Sequence, residues 1–173
     1  GGVASEDSPT QPINPYGLSK LMSEWMLRDV AAVTPLRYVA LRYFNVAGAD
    51  LEARIGQSSR ESTHLIKVAC EAITGKRQFV SIFGTDYATP DGTCLRDYIH
   101  VSDLISAHMD ALAHLRKGGE SGVFNCGYGK GFSVLEVIKA VERVHGGALE
   151  INMAPRRAGD PAAIVAGADR VRQ

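Results

Sequence analysis

A tyrosine and a lysine near the amino terminus are the side chains best placed to do chemistry. Tyr16 and Lys20 are four residues apart in a segment predicted to be helical, so both project from one face, one turn apart. An ammonium beside a phenol favours the phenolate, which makes the tyrosine a usable general acid or base. The spacing alone is weak evidence, because an exposed tyrosine and lysine on an ordinary amphipathic helix give the same pattern.

A second candidate group lies at the end of a predicted strand. Tyr43, Phe44 and Asn45 lie toward the carboxyl end of an apolar segment at 38–46, and open α/β sheets bind their ligands at that edge. An aromatic residue on a strand is most often part of the core. Asn45 is more informative, because a strand end disfavours asparagine unless its amide has a partner.

Capping residues mark where three helices should begin. Asn14 is a strong N-cap for a helix that continues to about residue 33. Ser62 or Thr63 is expected to cap a second helix, and Ser133 with Glu136 forms a capping box that begins another. The first of these signals places the tyrosine and lysine pair in the opening turns of its helix.

Strand and helix signals alternate along the chain, which predicts an α/β fold with a largely parallel sheet. Residues 1–11 and 49–61 are polar and are predicted to be loops. The glycine-rich residues 127–131 lack the spacing of a dinucleotide or phosphate fingerprint, so they are predicted to form a tight turn directly before the last helix. The predicted strands lie at 38–46, 79–83 and 123–126, and the predicted helices at 14–33, 62–75, 104–115 and 133–146.

The composition excludes several classes of protein. The 173 residues are 45% apolar and 22% charged, as in an ordinary globular protein, and nineteen basic residues balance nineteen acidic ones. With no net charge and no run of about 18 apolar residues, we expect neither a nucleic-acid partner nor a membrane. Three cysteines without a CxxC pattern and five histidines without an HExxH pattern indicate a cytoplasmic protein with no metal site.

Five sequence blocks together resemble one enzyme family. In this order they resemble the UDP-glucose 4-epimerase family of the extended short-chain dehydrogenase/reductase superfamily, and the resemblance covers nearly the whole chain. It implies a piece of a longer enzyme, without the amino-terminal βαβ half that carries the dinucleotide fingerprint. The blocks are YGLSK at 16–20, LRYFNVAG at 41–48, IFGTDY at 82–87, DGTCLRDYIHV at 91–101 and APRRAGD at 154–160.

The resemblance implies a catalytic mechanism. Tyr16 would be the base that takes the proton from the hydroxyl at carbon 4 of the sugar, while tightly bound NAD takes up a hydride and later returns it. Lys20 would favour the phenolate and hold the nicotinamide ribose, with Tyr43 and Phe44 beside the cofactor. The 4-keto sugar would rotate between the two hydride transfers, which exchanges UDP-glucose and UDP-galactose.

The resemblance also implies a binding site for the UDP-sugar. Asn45 would hold the sugar diphosphate, Arg96 and Arg157 the pyrophosphate, and Asp160 the uridine ribose. His64 and Leu65 would meet the diphosphate. Residues Ser81, Ile82 and Phe83 match the stretch that lies against the uracil.

Further expectations concern the domains, the assembly, the activity and the sugar specificity of the enzyme. Residues 1–48 are expected to complete a Rossmann-type NAD-binding domain, and 49–173 to form mainly a smaller α/β substrate domain. The complete enzyme is expected to be a homodimer, and this chain alone to be inactive. Ile164 stands where some relatives carry a bulky tyrosine, which favours tolerance of N-acetylhexosamine nucleotides.

Two alternative functions stay open. The chain could belong to a nucleotide-sugar dehydratase or uronate epimerase of the same superfamily, which shares the tyrosine and lysine but uses different partners. It could also be a nucleotide-sugar-binding protein without turnover, although such a protein has no need of a proton-transfer pair.

Overall fold

Helices and strands alternate through residues 2–172, the part of the chain that the computed structural model describes. The helices are α1 (Pro15–Val33), α2 (Leu65–Ile73), α3 (Val101–Arg116) and α4 (Val134–His145), and a 3-10 turn follows at Arg170–Arg172. The strands are β1 (Val3–Ala4), β2 (Val39–Tyr43), β3 (Asn45–Ala47), β4 (Val80–Phe83), β5 (Leu95–His100), β6 (Gly122–Cys126), β7 (Gly131–Ser133), β8 (Ile151–Ala154) and β9 (Ala163–Ala166).

The strands form one larger sheet and two parallel pairs. The larger sheet has the order β1-β9-β5-β3, with β7 added antiparallel to β5, and the pairs are β2 with β6 and β4 with β8. Every other pairing is parallel. The predicted α/β class with a largely parallel sheet is therefore confirmed.

The predicted continuous strand at 38–46 is wrong, because the segment divides at Phe44. Before it, β2 pairs with β6, so that Tyr43 lies opposite Cys126. After it, β3 pairs with β5, so that Asn45 lies opposite Tyr98. The chain thus changes its strand partner between Tyr43 and Asn45.

Two helix caps are confirmed and a third is wrong. The Asn14 side chain accepts a hydrogen bond from the Gly17 amide at 2.8 Å, and the capping box of Ser133 and Glu136 is present. The N-cap of α2 is His64, not Ser62 or Thr63, and its side chain does not cap the helix. Ser62 instead accepts the backbone N–H of His64 at 3.2 Å.

Several short strands lack the period-2 alternation that predicts strands, and sequence patterns missed them. They are β1, β5, β7, β8 and β9. In β5 the charged Asp97 occupies a fully buried position, which breaks the expected pattern of apolar residues. Residues 127–131 lead into β7 before α4 begins, so the predicted direct turn into the helix is wrong.

Asp97 links three parts of the larger sheet. Its carboxylate accepts backbone N–H bonds from Tyr128 at 3.2 Å, Gly129 at 3.0 Å and Ala166 at 3.1 Å. A side chain on Gly127 would come within 2.8 Å of the same carboxylate. The carboxylate thus holds the segment between β6 and β7, and β9, against β5.

Some of the buried apolar residues form two clusters, one around α2, α4 and β4 and one around α3 and β5. The first contains Ala69, Val80, Ile82, Ile138 and Leu149, and the second Ile99, Leu104 and Cys126. The apolar residues of α1 belong to neither cluster. Leu21 is buried, but Leu18, Met22 and Trp25 are 43–48% exposed.

Strand pairing crosses the predicted domain boundary at residue 48. Strand β2 pairs with β6 and β3 with β5, so each pair joins residues from both sides of it. The assignment of 1–48 and 49–173 to two domains stays a prediction.

Candidate functional site

Two adjoining clefts bring together most of the predicted site residues. Cleft A has a volume of about 440 Å³ and cleft B of about 640 Å³. Four residues line both clefts, and we call them the shared wall: Asn45, His64, Leu65 and Tyr98. A ligand that crosses the shared wall could therefore occupy both clefts at once.

Cleft B contains the candidate proton-transfer residue. Tyr16 from α1 lines it together with Tyr43, the last residue of β2, and Phe44, which follows it. The Tyr16 side chain is 73% exposed, and the Lys20 ammonium lies 5.2 Å from the centre of its ring. Within residues 2–172 neither the Tyr16 hydroxyl nor the Lys20 ammonium makes a hydrogen bond. Tyr16 lines cleft B, whereas the exposed Lys20 lines neither cleft.

One face of β4 and the residues before it line cleft A. Arg77, Phe79, Ser81 and Phe83 alternate along this face. Ile82 lies on the opposite face, is 1% exposed and packs in the first core cluster. The structure therefore brings Ser81 and Phe83 to the cleft but not the side chain of Ile82, whose only possible contact with a ligand is through its backbone.

Two arginines of cleft A differ in how firmly they are held. The Arg96 guanidinium donates to the Leu95 and Pro161 carbonyls at 2.8 and 2.9 Å and to the Asp160 carboxylate at 3.4 Å. Arg157 lies over the Phe83 ring, 3.7 Å from its centre, and has no carboxylate partner within residues 2–172. Arg157 is therefore the cation of this pair with an unneutralised charge for an anionic ligand.

Arg77 is a third cation of cleft A, which the sequence patterns did not single out. Its guanidinium donates to Glu71 at 2.5 Å and to the Ser62 carbonyl at 3.1 Å. The hydrogen bond from Arg77 holds the pKa of Glu71 below its usual value. Arg77 lies two residues before Phe79, so the period-2 alternation of side chains along β4 could have placed it on the same face as Phe79.

The amino terminus of α2 points its backbone donors toward the clefts. Its N-cap His64 and first residue Leu65 both belong to the shared wall, and no side chain caps the helix. Unpaired N–H groups and the positive end of a helix dipole attract anions. This end of α2 therefore adds to the anion-binding character of the shared wall.

Tyr98 was also missed, because its strand was not predicted. Burial raises the pKa of Tyr98 above its usual value, so its hydroxyl stays protonated at neutral pH. Its place in the shared wall makes it a neutral donor or acceptor available to a ligand in either cleft.

Other sequence expectations concern sites outside the clefts. Ile164 lies on β9 opposite Arg96 and does not line cleft A or cleft B. Within residues 2–172 no group of three or more histidine, cysteine or acidic side chains is arranged to hold a metal ion, and all three cysteines are free. No helix in this part of the chain has the length and apolar character needed to cross a membrane.

The sequence matches a protein-family model and is similar to curated proteins. The model of the NAD dependent epimerase/dehydratase family matches residues 2–127. A UDP-glucose 4-epimerase of Azospirillum brasilense is 62% identical over 168 residues, which are 97% of this chain and 48% of that protein. The chain spans about half the length of the curated relatives it matches.

Solved structures show the same similarity in three dimensions. The crystal structure of UDP-glucose 4-epimerase from Brucella ovis in complex with NAD is 45% identical, with a TM-score of 0.92 over 96% of this chain and 51% of that one. The enzyme from Bifidobacterium longum in complex with NAD+ and UDP is 40% identical, with a TM-score of 0.91 over 98% of this chain and 51% of that one.

Proposed function

The chain belongs to the NAD dependent epimerase/dehydratase family, and from that membership we propose that the full-length protein interconverts UDP-glucose and UDP-galactose. By the full-length protein we mean these residues within the complete length that the relatives have. The observation that carries the proposal is the pair of clefts across one shared wall, with Tyr16 in cleft B and Arg157 in cleft A. A UDP-sugar also has two parts, a reacting sugar at one end that would lie in cleft B and a nucleotide at the other that would lie in cleft A.

Cleft B has residues that fit the nicotinamide end of NAD. The free Tyr16 hydroxyl can hold a ribose hydroxyl, and Tyr43 and Phe44 offer apolar surface beside it. The Lys20 ammonium lies outside the lining of the cleft but next to the Tyr16 ring, and it would hold the ribose together with Tyr16. NAD supplies the oxidation and reduction at carbon 4 of the sugar when it is bound.

The proton chemistry belongs to Tyr16. With its side chain in cleft B, its phenolic oxygen can accept the proton of the sugar hydroxyl at carbon 4 and later return it. The Lys20 ammonium lies 5.2 Å from the centre of the Tyr16 ring. Asn45 lies in the shared wall and would hold the sugar diphosphate during this exchange.

Cleft A fits the nucleotide. Arg157 supplies a cation for the diphosphate, and Arg96 supplies a second guanidinium fixed by Asp160. Asp160 retains acceptor oxygens for ribose hydroxyls, and the cleft face of Phe83 with Ser81 is a surface for the base. His64 and Leu65 complete the contact with the diphosphate at the shared wall.

A product assay distinguishes this function from its rivals. We expect the full-length protein to convert UDP-galactose into UDP-glucose with no net formation of NADH. A 4-keto-6-deoxy product would identify a dehydratase, and conversion restricted to UDP-uronates would identify a uronate epimerase. Binding of UDP-sugars without any conversion would identify a binding protein, and each of these three results contradicts the proposal.

We further propose that the full-length protein is a homodimer with α1 in its interface. The helix presents Met22, Trp25, Met26 and Val30, each between 44% and 60% exposed. Apolar surface of this extent on one helix is typical of a contact face. Light scattering on the wild-type protein should give the mass of two subunits, and Trp25→Glu should shift it toward one; a monomeric wild type would contradict the proposal.

A further inference from the structure

A polar cluster joins His64 of the shared wall to three residues that the function proposed above does not use: Gln57, Ser59 and Ser62. The Gln57 side chain lines cleft B, and its amide nitrogen lies 3.0 Å from the Ser62 hydroxyl and 3.1 Å from Nδ1 of His64. The same nitrogen lies 3.3 Å from the Ser59 hydroxyl. The Gln57 amide thus links the loop before α2 to His64, the N-cap residue of that helix.

The donor in this contact decides which nitrogen of His64 carries the proton. An amide nitrogen can only donate, so Nδ1 of His64 accepts. A neutral imidazole that accepts at Nδ1 carries its proton on Nε2. The opposite tautomer would set an N–H of the ring against the N–H groups of Gln57, with two donors facing each other.

The backbone fixes the same histidine from a second direction. The Ser62 hydroxyl accepts the His64 backbone N–H at 3.2 Å and is itself 6% exposed, so it is a fixed partner. Ring and backbone of His64 are therefore both held by the loop, while His64 lines both clefts. A histidine held in this way can present its Nε2–H to an oxygen of a bound ligand.

We propose that Gln57 is a positioning residue that keeps His64 in the Nε2–H tautomer, so that the ring donates a hydrogen bond to the diphosphate of the bound nucleotide sugar. The inference rests on the proposed function for the identity of the ligand. Gln57 acts through His64, and its own contact with the ligand is not required.

The tautomer can be measured directly in the wild-type protein. Long-range ¹H–¹⁵N correlation spectra of the full-length protein, labelled at histidine and assigned with His64→Ala, should show Nε2 of His64 protonated and Nδ1 not. A protonated Nδ1 in the neutral ring would overturn the proposal, and this result needs no variant of Gln57 that might fail to fold.

A double-mutant cycle tests whether Gln57 acts through the histidine. Gln57→Met keeps the length of the side chain but removes the amide, and it should weaken UDP binding, measured by calorimetry, by about three- to tenfold. In a His64→Ala background the same change should have no further effect. Unchanged affinity in Gln57→Met, or an equal loss in both backgrounds, would overturn the proposal.

A control and the choice of ligand separate this inference from the proposed function. Gln78→Met removes an exposed amide that makes no hydrogen bond within residues 2–172, and UDP affinity should stay within about twofold of the wild type. Because the cycle measures UDP binding rather than turnover, a protein that binds UDP as expected but converts no UDP-galactose would contradict the proposed function alone.

Discussion

In the proposed reaction, Tyr16 is the residue whose hydroxyl is needed most directly. Its side chain reaches cleft B, and its hydroxyl makes no hydrogen bond within residues 2–172 that would compete for the proton. Tyr16→Phe should therefore lower kcat for UDP-galactose by about 10²- to 10⁴-fold while UDP binding stays nearly unchanged. Tyr38→Phe, which removes a hydroxyl outside both clefts, should keep full activity, and unchanged kcat in Tyr16→Phe would remove Tyr16 from the mechanism.

Arg157 should dominate binding of the nucleotide, because its charge has no carboxylate partner among the described residues. Arg157→Ala should weaken UDP binding by about ten- to hundredfold, as expected for a lost charge-assisted hydrogen bond. Arg28→Ala removes an exposed arginine already paired with Asp29 and should leave the affinity for UDP unchanged. Equal effects of the two substitutions would show that Arg157 makes no specific contact with the nucleotide.

At the scale of single residues, side-chain type and position in a motif singled out residues that the fold brings together. Tyr16 and Asn45 both line cleft B, although 28 other residues separate them in the sequence, and their roles stay predictions. Arg77 and Gln57 were not predicted, because an arginine or glutamine in a polar segment has no pattern that separates it from a solvated side chain. Their roles follow from partners that only the fold brings close.

Helix α2 carries an ion pair whose stabilising effect should depend on pH. Glu71 accepts from Arg77, and this hydrogen bond lowers the pKa of Glu71 in the folded protein. The stabilisation is therefore fully present above the unfolded value of about 4.3 and is lost as the pH falls through the lower folded value. The difference in thermal midpoint between wild type and Glu71→Gln should be constant from neutral pH to about pH 5 and shrink below about pH 4.

Glu61→Gln is the matched control for this pH series, because Glu61 is exposed and makes no ion pair within residues 2–172. Its thermal midpoint should follow the wild type at every pH. A difference for Glu71→Gln that persists unchanged into acid would show that the carboxylate charge does not stabilise α2.

Helices and strands whose ends are set by neighbouring residues in the sequence were predictable. Those whose ends are set by pairing with distant strands were not. The capping box of Ser133 and Glu136 satisfies backbone groups within one turn, so the sequence alone contains the reason for the start of α4. The break at Phe44 has no such local cause. It exists because β6 and β5 pair with the chain on either side of that residue, which is a property of the sheet.

The whole molecule depends on the buried carboxylate of Asp97. It accepts three backbone N–H groups from segments more than 30 residues away along the chain, and it is fully buried. Asp97→Ala should lower the free energy of unfolding by about 3 kcal/mol or more, because it leaves these donors unpaired. Denaturant unfolding should show a much smaller loss for Asp110→Ala, at an exposed site of α3, and equal losses would show that Asp97 does not organise the sheet.

At this scale, the sequence predicted the class of fold but not its connections. Alternating helices and strands indicated a parallel sheet, and residues 16–48 supplied a helix and strands near the expected positions. The order β1-β9-β5-β3 could not be predicted, because β1 and β9 are short and are stabilised by contacts with each other and with β5. Long-range pairing of this kind depends on the completed fold.

The central claim is that Tyr16 and the two clefts serve a transient oxidation at carbon 4 of a UDP-sugar. The most direct test follows the isotope at that carbon during conversion of UDP-[4-²H]galactose by the full-length protein in ordinary water. The account predicts UDP-glucose that retains the deuterium at carbon 4, formed about 10²- to 10⁴-fold more slowly by Tyr16→Phe. Product with hydrogen at carbon 4, or conversion by Tyr16→Phe at the wild-type rate, would contradict it.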